Sequence, residues 1–167
     1  MNRKGKTMKR VVYNITGIDY IFDASRKGAK YSFDGGRTWK NNGEAVEIVL
    51  KWALGLEASK DANTPFDKGS DIEEYKASVK SPKFTLTTCN IGNNKEDIVR
   101  EYFKRTASEQ TVYGYIAGEE IITYWMNMEE FKEYLNEFGY YDNHSGYVRG
   151  KALSNKMITW FEKRVIK

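Results

Sequence analysis

Hydrophobic and polar positions change their period several times along the chain. VVYNITGIDYIFDAS (11–25) mixes β-branched and aromatic residues around Gly17 and predicts a strand, a turn and a second strand. KYSFDGGRTWKN (30–41) predicts a short hairpin in which Asp34-Gly35-Gly36 supply the turn and Thr38-Trp39 resume the strand. GEAVEIVLKWALGLEAS (43–59) then switches to helical spacing. Val46, Val49, Leu50 and Ala53 form its apolar stripe, Glu44, Glu47 and Lys51 share another face, and Gly55 weakens its end. Residues 58–70 carry loop chemistry. IEEYKASVKS (72–81) and FTLTTCNI (84–91) follow as β-rich runs punctuated by Ser81-Pro82.

KEDIVREYFKRTA (95–107) predicts a helix with Ile98, Tyr102 and Phe103 inward, and TVYGYIAGEEIITYWMN (111–127) a hairpin turning near Gly118-Glu119. Asn127 and Glu130 have the spacing of a capping box opening the helix MEEFKEYLNEFG, which Gly139 ends. The Tyr-, Asn- and Gly-rich residues 140–150 read as a loop before a last helix at 154–165. The expected fold is α/β (α+β), one domain over 1–167 with a single central mixed β-sheet flanked by helices. Residues 1–42 form a β-hairpin extension, 43–127 the core and 128–167 the C-terminal helices.

Composition adds little to this pattern, but charge changes it. The chain of 167 residues is 40% hydrophobic and 30% charged, sufficient for one core without disulfide or metal support. Its 12 Tyr, 8 Phe and 4 Trp point first to core and sheet packing. Cys89 is a lone cysteine and His144 the one histidine, so neither a disulfide nor a zinc cluster of Cys and His is expected, and a reducing, cytoplasmic setting follows. No apolar run approaches the roughly 18 residues of a membrane span. Residues 1–42 hold ten Lys or Arg against three Asp, a local +7, while the rest holds 17 against 20, a local −3, within a net +4. Such asymmetry points to DNA, with Arg10, Arg26, Lys27, Lys30, Arg37, Lys40 and Lys83 as phosphate contacts; a solubilising tail and a solvated hairpin are the alternative. If Met8 is the natural start, Arg3, Lys4 and Lys6 leave the tally.

Two stretches carry family likeness. SFDGGRTW (32–39) resembles the Asp-box S-x-D-x-G-x-T-W of sialidase propellers. Propellers repeat that box in each blade, whereas here it occurs once; its aspartate caps its own turn, so a glycosidase is set aside. The second stretch is GSDIEEYKASVKSPKFTL (69–86), where Asp71 opens one short strand and Lys80 lies on the next, across one tight hairpin. A carboxylate there can hold a hard divalent cation, and an ammonium can orient a water near a phosphate; Glu44 or Glu47 from the preceding helix adds a second carboxylate.

A helix with glutamate, a G-x-D-I strand, a strand ending in V-K-S, then a β-rich run and a helix resembles the PD-(D/E)xK nuclease superfamily over residues 43–127. The resemblance implies a restriction-endonuclease-like fold and Mg²⁺, with Mn²⁺ as substitute. It implies that Asp71, Lys80 and Glu47 form the catalytic set, and that Asp71 with Glu47 or Glu44 binds the metal. Where the family places its second acid, two residues before the lysine, this chain has Ser78; Glu73, Glu74 and Asp67 are the nearest acids in sequence. The plainer reading has Lys80 guarding a sheet edge, Ser78 facing water and Glu44, Glu47 and Lys51 on a solvated helix face.

Three function classes result. The first is a Mg²⁺-dependent DNA endonuclease. The second is an inactive nuclease-like factor that binds DNA or inhibits a protein; the Asn-, Lys- and Tyr-rich chain resembles bacteriophage and mobile-element proteins, so a host defence nuclease or another nucleoprotein would be its partner. The third is an accessory subunit. A homodimer is compatible with each. Arg149, Lys151, Lys156, Lys163 and Arg164 around the last helix either touch phosphates or solvate it.

Overall fold

The computed structural model of the protein describes residues 7–18, 41, 43–56, 71–86, 95–142, 144 and 147–166. In chain order the elements are β1 (Lys9–Asn14), α1 (Gly43–Ala53), a 3₁₀ turn (Glu73–Tyr75), β2 (Ala77–Lys80), β3 (Thr85–Leu86) and α2 (Lys95–Arg105). They continue with β4 (Gln110–Ala117), β5 (Glu120–Asn127), α3 (Met128–Phe138), β6 (Gly139–Asp142), β7 (Tyr147–Gly150) and α4 (Asn155–Glu162). The predicted strand after residue 19, the 30–40 stretch with its Asp-box residues, loop 58–70 and Cys89 lie almost wholly outside the described residues.

β4 and β5 are joined by a tight turn with Gly118 at φ +62°, as the hairpin pattern predicts. β1 adds antiparallel to β5, and β2 adds parallel to β4, giving the order β1-β5-β4-β2. The parallel pair requires a crossover, which includes α2. Together these form a mixed sheet flanked by four helices among the described residues.

The sheet is not single. β3, β7 and β6 form a separate three-stranded antiparallel sheet. Residues 140–150, expected as a loop, thus supply most of two strands. Backbone pairing of Thr85 and Leu86 with Arg149 and Val148 satisfies a segment whose own side chains carry no strand period. The run from Ile72 to Ser81 is also less extended than its residues suggest. Glu73–Tyr75 turn as a 3₁₀ helix, and strand pairing on either side is limited to the Ile72–Ala77 bridge and β2 itself.

Each face of the four-stranded sheet carries a core. On one, α1 packs Val46, Val49 and Leu50 against Val112, Ile116 and Ile121. Gly114 permits this approach, since a Cβ there would lie 3.1 Å from a Val46 methyl. On the other face α2, α3 and α4 enclose an aromatic core. Tyr113, Tyr124, Phe131, Tyr134 and Phe161 are all fully buried, and the Tyr124 and Phe161 rings stack at 4.2 Å. Much of the aromatic excess is spent here. No helix among the described residues is long and apolar enough to cross a membrane.

Candidate functional site

β2 is an outer strand of the four-stranded sheet, so it has an outward-facing edge where backbone donors need partners. The chain supplies one by folding back: Ile72 bridges Ala77 through two backbone hydrogen bonds of 2.9 and 3.1 Å. Immediately beside it, the Asp71 carboxylate accepts the Val79 N–H at 2.8 Å. The 3₁₀ turn between them closes through Lys76 in the left-handed region, φ +46°. Asp71 is therefore fixed against the middle of β2 by main chain.

Glu47 reaches the same place from α1. Its apolar neighbours Val46 and Ile48 are buried, and the close seat of α1 on Gly114 sets its height above the sheet. The Glu47 carboxyl lies close enough to that of Asp71 to feel its charge, and Lys51 sits 3.5 Å from Glu47, one turn further along α1. Burial, and then the neighbouring Asp71 charge, push the Glu47 carboxyl up to about 8, against the opposing pull of Lys51. At neutral pH the Glu47 carboxyl thus keeps its proton.

Lys80 ends β2 and points to the other face. Its ammonium lies 4.4 Å from the centroid of the Tyr102 ring and 5.9 Å from that of Phe84. Burial alone would lower its pKa, but Tyr102, Asp71 and Glu47 outweigh it and raise the value above that of a free lysine. Lys80 is consequently a permanently charged group beside two acids, held on an aromatic platform. Asp71, Glu47 and Lys80, the three residues the sequence singles out, come together around one strand. Glu44 lies on α1 one turn before Glu47, its side chain outside the described residues.

The plainer readings fail on burial. Lys80 is 9% and Lys51 8% exposed, so neither guards a solvent edge nor decorates a solvated helix face. Ser78 is fully buried and does not face water. Its hydroxyl lies 2.5 Å from that of Ser108 and donates to that of Thr106 at 3.4 Å, forming a hydroxyl cluster under the C-terminal end of α2. Ser78 is therefore committed elsewhere, and the second carboxylate beside Asp71 is Glu47. Glu73 and Glu74 are exposed on the 3₁₀ turn, and Asp67 lies outside the described residues.

Of the expected phosphate contacts, Arg10 lies on β1 across the sheet, its guanidinium 3.1 Å from Glu162. Lys83 is exposed in the β2–β3 turn at φ +61°. Arg26, Lys27, Lys30, Arg37 and Lys40 lie outside the described residues. Among the basic residues near α4, Arg149 pairs with Asp142 at 2.7 Å and Arg164 lies 3.9 Å over the Trp160 ring. His144 is exposed in the β6–β7 turn, its backbone N–H donating to Asp142.

Sequence reasoning placed Tyr102 in the core without connecting it to the acids, and set Lys51 on one helix face with Glu44 and Glu47 but gave it no part in the site. Lys51 carried a signal, its i, i+4 spacing to Glu47; Tyr102 carried none. No protein-family model, no curated protein and no solved structure matches the chain.

Proposed function

We propose that the protein is a divalent-cation-dependent DNA endonuclease of bacteriophage or mobile-element origin, built on a restriction-endonuclease-like core. The observation that carries this reading is the approach of the Glu47 and Asp71 carboxyls to one another at β2, where the buried ammonium of Lys80 feels the charge of both. The chain order supports it as well: a helix bearing an acid, a folded-back segment bearing Asp71, β2 bearing Lys80, then a crossover to a parallel strand.

The donor set fits Mg²⁺. Two carboxyls offer hard oxygen ligands, and Mg²⁺ is commonly held by one or two carboxylates while keeping several waters. Glu47 and Asp71 would hold the ion, which when bound supplies Lewis-acid polarisation of a phosphate and a more acidic water. Lys80 stays protonated, so its part is to orient and stabilise negative charge rather than to take a proton. Asp71 is positioned by the Val79 amide, and Tyr102 positions Lys80. The basic N-terminal residues would bind the DNA backbone.

Plasmid and branched DNA with Mg²⁺ or Mn²⁺ provide the assay. Asp71→Asn keeps an oxygen acceptor for Val79, and Lys80→Met keeps the length of the side chain; each is expected to reduce the cleavage rate at least about 100-fold. Cleavage that persists in both variants, or none by the wild type with either ion, overturns the reading.

One observation favours a second reading. The family position for the second acid is a serine locked in a buried hydroxyl cluster. In that reading the chain is an inactive nuclease-like factor that binds DNA or inhibits a host protein. Tight DNA or nucleoprotein binding without hydrolysis would distinguish it.

A further inference from the structure

The α1 face of the four-stranded sheet continues beyond the area covered by Val46 and its neighbours. There, Lys9 and Tyr13 of β1, Gln110 of β4 and Trp125 of β5 line a cavity of about 370 Å³. Tyr75, from the 3₁₀ turn between Asp71 and β2, leans over it. Its ring centroid lies 5.6 Å from that of Trp125 at an interplanar angle of 43°, so the two rings pack as a tilted pair and the outer face of Tyr75 is left to solvent. Trp125 is rigid: it is 8% exposed and its indole N–H donates to the Thr123 hydroxyl at 3.0 Å. Tyr75 is 42% exposed on a backbone fixed by the Ile72–Ala77 bridge.

The polar groups at this cavity are sparse and directional. Gln110 donates from its amide nitrogen to the Tyr75 carbonyl at 2.9 Å, which fixes the turn and leaves its amide oxygen facing no partner among the described residues. Lys9 has no ion-pair partner among them either. Glu130 also lines the cavity, but its two carboxylate oxygens are engaged, by the Asn127 backbone N–H at 2.9 Å and the Thr7 hydroxyl at 3.0 Å. An exposed tyrosine ring backed by Trp125, an amide acceptor and an ammonium without an ion-pair partner among the described residues are the equipment for a flat ring bearing a phosphate. The volume is at the small end of ligand pockets, the size of one ring system rather than a whole cofactor.

We propose that this cavity is a nucleobase pocket that takes one unpaired base of a DNA strand, seated on Tyr75 and Trp125, with Lys9 on its phosphate. Every base has a π-face, so stacking of this kind accepts unpaired bases and gives little to a base held inside a duplex. The proposal deepens the nuclease reading and rests on it for the identity of the strand. Tyr75 lies only four residues after Asp71 in the same folded-back segment, so a strand held here is tethered near the acid pair. Selectivity for DNA with single-stranded character would follow.

The test is fluorescence quenching and anisotropy in EDTA, which needs no hydrolysis. The probes are dAMP, a five-residue single-stranded DNA, the same sequence as blunt duplex, and heparin as a base-free polyanion. The wild type is expected to bind the single strand at least about tenfold more tightly than the duplex. The quench should vanish in Trp125→Phe. Tyr75→Ala should weaken single-strand binding about tenfold or more while Tyr75→Phe retains it, and Lys9→Ala should weaken both the strand and dAMP. Equal affinity for duplex and single strand, heparin binding with the same Tyr75 dependence, or unchanged binding in Tyr75→Ala overturns the proposal. Binding of dAMP but not of the strand also overturns it, since the pocket would then serve a free nucleotide. Asp71→Asn should abolish cleavage yet leave this binding intact; Tyr75-dependent binding without any cleavage would refute the nuclease reading and leave the pocket standing.

Discussion

Glu47 and Ser78 occupy neighbouring elements, yet burial has opposite consequences for them. Glu47 is an acid kept partly protonated by burial and by Asp71, with its carboxyl pushed up to about 8 from a free value of 4.5. Between those two values the folded protein holds a proton that the unfolded chain has released. Stability must therefore fall as pH rises through that window, in the absence of divalent cations, by on the order of a few kcal/mol. Urea unfolding in EDTA at pH 5 and pH 8 should show the loss, and Glu47→Gln should flatten it. Ser78 is buried among hydroxyls rather than beside the acids. Placing a glutamate there would not rebuild the family's acid-x-lysine pair, because its charge would enter a closed cluster. Ser78→Glu is expected to cost at least about 3 kcal/mol and to confer no added metal affinity, as thermal unfolding with and without Mn²⁺ would report.

Helices and hairpins were legible where the chain states their ends. The Asn127–Glu130 capping box is present in both directions, with Asn127 Oδ1 accepting from the Glu130 N–H at 2.8 Å and Glu130 Oε1 from the Asn127 N–H at 2.9 Å. Asn127→Ala should cost about 1 kcal/mol in denaturant unfolding with no change in m-value. α2 buries Ile98, Tyr102 and Phe103 as its spacing predicts. Gly139 does end α3, but crowding explains the glycine rather than a left-handed turn: its φ is −102°, and a Cβ would lie 2.7 Å from the Leu135 carbonyl oxygen. Within the second sheet the β-rich character of 84–91 was legible, whereas the β6–β7 hairpin was read as a loop and the partner of β3 lies far away in sequence. Thr85 pairs with Arg149 and Leu86 with Val148, and no local period in a Tyr-, Asn- and Gly-rich segment announces that. The burial of Ser78 was hidden likewise, since its hydroxyl partner Ser108 is 30 residues away.

At the scale of the molecule, two cores on opposite faces share β4 and β5, and the acids and Lys80 approach β2 from opposite faces of the same sheet. The residue types and spacing of Glu47, Asp71 and Lys80 marked these three in the sequence, but the expected projection of Asp71 and Lys80 to one edge gives way to Lys80 leaving β2 on the face opposite α1. The aromatic platform of Lys80 and the raised pKa of Glu47 arise only from packing. The central claim is that Glu47 and Asp71 together bind a divalent cation. Calorimetric titration of the whole chain with Mn²⁺, wild type beside Asp71→Asn and Glu47→Gln, tests it most directly. One ion per chain with affinity lost in both variants is the predicted result. No measurable binding by the wild type, or binding undiminished by either substitution, would contradict it.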